Sequence, residues 1–154
     1  MGHLDERDRE LSEAMGLWGG LPPFVQLLGV SFEPLDGDAV AIKVPMRDEL
    51  RLAPGGPLHG GVVASLMDII GGSVVAWALK KEIEGLPLEE QARKMKRVTT
   101  IDLRVDYLRP GRGQAFTATG SLLRSGRKLA VARMELRNDE GLLIAAGTGT
   151  FTTA

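Results

Sequence analysis

LHGGVVASLMDIIGGSVVAWALKKE, residues 58–82, holds a single charge, Asp68, within the eighteen residues from Val62 to Leu79. A run of that length approaches a bilayer span. A carboxylate at its middle is costly in lipid, and the segments that follow alternate like a sheet with one wet face. The run is therefore expected to be a buried core helix from about His59 to Glu82, apolar on nearly all sides, and no membrane partner is expected.

The flanking sequence supplies what such a helix needs for cover. Val98–Arg109 alternates, with Ile101, Leu103, Val105 and Tyr107 on one face and Thr100, Asp102, Arg104 and Asp106 on the other. Strands are predicted over Gln114–Arg124, Leu129–Arg137 and Leu142–Thr152, separated by turns at 110–113, 125–128 and 138–141. Upstream, Gly29–Leu35 and Ala39–Met46 flank Asp36-Gly37-Asp38 as a hairpin. Phe24–Leu28 suits a short helical turn after Pro22-Pro23, and Arg47–Leu58 is a loop rich in Gly and Pro. Between helix and strands, Pro87 followed by Glu89-Glu90 and then Arg93-Lys94 suits a short helix with its charges placed for the macrodipole. Residues 4–15 read as a charged helix. The fold class is α+β: one curved antiparallel sheet around one long central helix. Residues 1–24 form an N-terminal helical extension and 25–154 one domain.

Composition narrows the chemistry. Nineteen Lys+Arg against twenty Asp+Glu give a net charge of −1, unlike a nonspecific nucleic-acid binder. The absence of cysteine excludes a disulfide scaffold, a Cys nucleophile and a thiolate zinc site, and fits a cytoplasmic location. The charged N-terminus carries no apolar signal segment. With only His3 and His59, a histidine-rich metal site is not expected. No Gly-x-Ser-x-Gly elbow, Walker A loop or Gly-x-Gly-x-x-Gly run is present. Glycine is the outlier: 20 in 154 residues, about twice the usual share. Six of them fall in three pairs between Gly55 and Gly72.

Gly60 and Gly61 stand where a loop becomes a helix. Helix starts leave N–H groups unpaired, and those donors at the positive dipole end suit a developing oxyanion. Two glycines there also satisfy the needs of a tight turn. Asp68 is an ionised group on an apolar helix, which is costly unless paired or facing a wet site. It is a candidate base, or else a structural carboxylate accepting hydrogen bonds. Eight residues at ~1.5 Å rise separate Gly60 from Asp68 by ~12 Å, whereas hydrogen-bond reach is about 3 Å. If both act on one carbonyl carbon, two chains must each contribute one, and the site occurs twice in a two-fold dimer.

His59-Gly60-Gly61, an Asp nine residues after the His, the Gly71-Gly72 pair and Thr100-Ile-Asp-Leu-Arg-Val-Asp-Tyr-Leu-Arg-Pro110 together resemble the hotdog-fold thioesterases, in particular the phenylacetate-pathway (PaaI-like) acyl-CoA thioesterase group. The resemblance covers residues 25–152. It implies a hotdog fold, dimers or dimers of dimers, and acyl-CoA as substrate, with coenzyme A entering as part of the substrate and no other cofactor. It implies Asp68 as nucleophile or general base, the Gly60 amide of the other chain polarising the thioester carbonyl, and His59 shaping the turn. Thr100 matches a position that orients the attacking water. Many relatives carry Asn six residues before the His. Ala53 stands there here, and the one Asn in the chain is Asn138. Gly61, Arg109, Arg112, Arg127 and Lys128, with Arg124, are the candidate CoA contacts, the cations lying at turns and strand ends where phosphates can meet them. Two other readings compete: a non-catalytic acyl-CoA-binding protein, and an enoyl-CoA hydratase echoed in Pro57-Leu58-His59 and Ala64-Ser65.

Overall fold

The computed structural model describes residues 6–14, 20–34 and 40–154. The predicted Asp36-Gly37-Asp38 turn and His3 lie outside the described residues. The chain runs α1 (Glu6–Ala14), α2 (Pro23–Leu28), β1 (Ser31–Pro34), β2 (Val40–Pro45), a 3₁₀ turn (Asp48–Leu50), α3 (Gly60–Ile83), α4 (Leu88–Met95), β3 (Thr100–Tyr107), β4 (Ala115–Ser125), β5 (Leu129–Asn138) and β6 (Leu143–Thr152). The strands form one antiparallel sheet in the order β1-β2-β4-β5-β6-β3. The predicted order of elements is retained throughout, and the architecture is the hotdog fold.

Helix α3 is long and apolar enough to cross a membrane by length and composition. Here it is the core: Leu66, Met67, Ile70 and Val75 are fully covered. The sheet accommodates it by keeping its own inner face shallow. Ala118, Gly120, Ala130, Ala132, Ala145 and Gly147 point inward along β4, β5 and β6 and are buried. Small residues on the sheet facing large ones on the helix fill the space between them to interior density. A Cβ on Gly120 would stand 2.7 Å from Val74 Cγ2, so that glycine is there for the helix.

Gly71 follows the same rule: a Cβ there would lie 2.6 Å from Cζ of Phe151, a buried ring on β6. Gly71→Val should therefore cost about 3 kcal/mol in urea unfolding, the upper range for overpacking a rigid core.

At its far end α3 hands over to α4 through a buried amide. Gln91 Nε2 donates to the carbonyls of Glu84 and Leu86, at 3.2 and 2.7 Å. Helix α1 packs on α4 with Leu11 buried. Strand β3 pairs only with β6 and forms one edge of the sheet.

Candidate active site

The loop before α3 is fixed by its own polar groups. Arg51 binds Asp48 Oδ1 through Nε at 2.9 Å and the Gly56 carbonyl through Nη1 at 2.8 Å. The His59 N–H donates to the Leu50 carbonyl at 2.8 Å, and the Leu58 N–H to the Gly111 carbonyl at 2.8 Å. A Cβ on Gly111 would come within 2.8 Å of Leu58 Cβ, so the β3–β4 turn is pressed against the helix start.

His59 is the N-cap of α3. Its Nδ1 accepts from the Gly61 N–H at 2.9 Å, as Ser or Asp side chains do at other helix starts. The Val62 and Val63 N–H groups donate to the His59 carbonyl. The Gly60 N–H is then the helix-start donor with no partner among the described residues. The two glycines therefore do different things. A Cβ on Gly61 would sit 3.0 Å from His59 Nδ1, against the cap, whereas one on Gly60 would meet nothing closer than Tyr107 Cε1 at 3.5 Å. The protein's own packing leaves room for a methyl at residue 60, so Gly60→Ala should unfold in urea within about 0.5 kcal/mol of the parent. What a methyl there would obstruct is whatever approaches the free N–H from outside.

Eight residues along, Asp68 is half-buried. Its Oδ1 accepts from Thr100 Oγ1 at 2.7 Å. The serines on either side of it on α3 do not serve it: Ser65 Oγ donates back to the Gly61 carbonyl and Ser73 Oγ to the Ile69 carbonyl, at 2.8 and 2.7 Å. Among the described residues Asp68 thus has one side-chain donor, from the sheet.

That contact corrects the predicted faces of β3. Alternation put Thr100 opposite Leu103 and Val105. The β3–β6 register shifts between Thr100 and Asp102, a bulge that adds one residue to the strand. Leu103 and Val105 pack on the core, yet Ile101 is 56% exposed, and Thr100 turns to the helix side where Asp68 lies.

The cationic candidates separate into two groups. Arg109 and Arg112 flank the turn beside Leu58 and Gly111. Arg109 Nη1 donates to the Leu143 carbonyl at 3.0 Å, and both arginines line an open cleft of about 380 Å³ with Glu140 and Leu142. Arg127 and Lys128 occupy the β4–β5 turn at the other end of the sheet. There the Lys128 carbonyl accepts from the Thr153 N–H, next to the Thr99–Thr152 pairing. Arg127 and Lys128 therefore share an end with Thr100, and Arg109 and Arg112 share one with Gly60.

A second cleft, of about 310 Å³, opens at the helix start and is lined by Gly60, Leu58, Val63, Tyr107, Leu108 and Arg109 among others. Tyr107, which the sequence reading placed only on a strand face, donates from its hydroxyl to the Gly60 carbonyl at 3.1 Å.

The thioesterase superfamily profile matches residues 55–145, from the Gly55-Gly56 turn into the start of β6. The chain belongs to the thioesterase superfamily. A medium/long-chain acyl-CoA thioesterase, YigI of Escherichia coli K12, is 53% identical over 94 residues, 61% of each sequence. The chain thus spans about 61% of that curated relative's length. A Shewanella oneidensis protein, described as related to the thioesterase superfamily, is 38% identical. It covers 99% of this chain and 100% of its own, with a TM-score of 0.83. A Bacillus halodurans protein crystallised with CoA shares the fold at 18% identity and a TM-score of 0.68, over 99% of this chain and 97% of that one.

Within this superfamily member, Asn138 does not stand in for an amide at Ala53. Asn138 is buried and committed: its Nδ2 donates to the Arg112 carbonyl, and its Oδ1 accepts from the Glu140 and Leu142 N–H groups. Ala53 is exposed, with its carbonyl accepting from the Gly56 N–H.

Proposed function

We propose that the protein hydrolyses acyl-CoA thioesters at a site completed across a two-fold dimer. The observation that carries this is the division of parts on α3. One free N–H, at Gly60, and one carboxylate held by a threonine hydroxyl, at Asp68, lie ~12 Å apart along the same helix. A single chain cannot bring both to one carbonyl; two chains side by side can.

In this reading the thioester oxygen accepts from the Gly60 N–H of one protomer, aided by the positive end of α3. Asp68 of the other protomer attacks the carbonyl carbon, or takes a proton from a water that does. A C–O bond forms and the C–S bond breaks; the CoA thiolate leaves and takes up a proton, either the one Asp68 gained from the attacking water or, where Asp68 itself attacked, one from the water that then cleaves the acyl–Asp68 anhydride to the free acid. The Thr100 hydroxyl spends its proton on Asp68, which leaves its oxygen able to accept from that water.

The edge position of β3 supports the dimer. Edge strands present unpaired N–H and C=O groups, and Ile101, Tyr107 and Leu108 are exposed along this edge. Beside it, the half-exposed face of α3 carries Gly61, Ser65, Gly72 and Ala76, small residues that allow another backbone close by. The relative named a medium/long-chain acyl-CoA thioesterase supports the substrate class, and placement in the PaaI-like group is part of the same proposal.

CoA release from a panel of medium-chain, long-chain and aryl acyl-CoAs, with Asp68→Ala as control, tests the reading. Hydrolysis that disappears in the variant supports it. Tight binding without CoA release would instead make the protein an acyl-CoA binder, and hydration of enoyl-CoA without release a hydratase. Because Arg127 shares the Thr100 end of the sheet and makes no ion pair among the described residues, Arg127→Glu should raise KM more than it lowers kcat. An unchanged KM would remove Arg127 from the CoA contacts.

A further inference from the structure

The chain has a single tyrosine, and it touches Gly60, whose N–H has no partner among the described residues. Tyr107 closes β3, its hydroxyl donates to the Gly60 carbonyl at 3.1 Å, and its ring edge lies 3.5 Å from where a Cβ on Gly60 would be. Yet Tyr107 is 57% exposed. Within its own chain the ring is not buried for its apolar area, and its one polar contact among the described residues is the Gly60 carbonyl. Its position matters for another reason.

Gly60 combines the most permissive residue type with the first position of a helix, where N–H groups lack intrahelical partners. Two peptide planes meet at its Cα. The one that carries the Gly60 N–H is held at its other end, where the His59 carbonyl accepts from the Val62 and Val63 N–H groups. The one that carries the Gly60 carbonyl is held at the Gly61 N–H by His59 Nδ1 and, from a different element 47 residues on, at the carbonyl itself by Tyr107. Tyr107 and Gly60 line the same cleft.

We propose that Tyr107 is a positioning residue, whose hydroxyl fixes the Gly60–Gly61 peptide and with it the turn at the Gly60 Cα, so that the N–H on the other side of that carbon stays aimed at the substrate carbonyl oxygen. The inference rests on the hydrolase reading of the site and adds to it a residue that need not touch substrate.

Tyr107→Phe keeps the ring against Gly60 and removes only the donor. Losing an oxyanion donor outright costs about 10²–10³ in kcat, so loosening one should cost about tenfold. KM for the same acyl-CoA and the melting temperature should stay at the parent values. In an amide ¹H–¹⁵N spectrum the Gly60 signal should shift and exchange faster with solvent, while the Val74 amide in the middle of α3 does not. Tyr107→Leu, which loses ring and hydroxyl, should fall at least as far in kcat. A parent-like kcat in Tyr107→Phe overturns the proposal, as does a melting temperature that drops with kcat unchanged. If the parent releases CoA from no acyl-CoA, the hydrolase reading fails on its own account. The Gly60 amide signal then decides the positioning role, and an unshifted signal in Tyr107→Phe overturns it.

Discussion

Asp68→Asn is expected to lower kcat for acyl-CoA hydrolysis by about 10²–10⁴, the range for removing a general base. The substitution is nearly isosteric. The Asn carbonyl oxygen can still accept from Thr100 Oγ1, which sits 2.7 Å from Asp68 Oδ1, so the local geometry is retained while the proton acceptor is lost. Asp68 is only half-buried and makes no ion pair among the described residues, so little folding stability rides on its charge. Activity should therefore collapse with the melting temperature and KM close to those of the parent. A thiol-release assay reads the first and a thermal scan the second. A kcat within tenfold of the parent would remove Asp68 from the chemistry and leave it as a carboxylate that ties α3 to β3.

The second large effect is a recovery. Chains carrying Gly60→Ala and chains carrying Asp68→Ala should each be strongly impaired alone. Mixed, they should regain one working site per mixed dimer, assembled from the intact Gly60 of one chain and the intact Asp68 of the other. The logic needs only the ~12 Å that eight helical residues impose. Gly60→Ala suits the test because a methyl there meets nothing closer than 3.5 Å within the chain, so its loss of activity is not a loss of fold. Co-refolded mixtures that show no more activity than the two parents together would place the whole site within one chain and end the dimer reading.

The sequence made α3 readable because an eighteen-residue apolar run with one charge has few structural explanations. The strands after it were readable because the turns between them are marked by glycine, with proline at the first and asparagine at the last. Three features of the site were not. The first is the bulge in β3: Thr-Ile-Asp-Leu-Arg-Val-Asp-Tyr alternates without a flaw, and the extra residue appears only when Thr100 pairs with Phe151 and Asp102 with Thr150. The second is the difference between Gly60 and Gly61, which look alike in a one-dimensional string. It arises because His59 folds its ring back onto the Gly61 N–H, a choice of side-chain rotamer. The third is Tyr107, whose role depends on an approach to Gly60 from the far side of the fold. The one clue in the sequence was that the odd-numbered face of β3, which is the helix side, ends in the only tyrosine. In each case local pattern fixes which element forms, and contacts between distant elements fix what its residues do.

The bulge in β3 also bears on how such a protein can change. Because the count along the strand resets at Ile101, Thr100 answers to the carboxylate on α3, while Leu103 and Val105 answer to the core. Substitutions before the reset can alter what stands beside Asp68 without disturbing the packed interior. Substitutions after it can rebuild the interior without turning the Thr100 hydroxyl away. One inserted residue lets Thr100 and the Leu103–Val105 pair vary independently, so the surroundings of Asp68 can drift while the packed interior stays where it is.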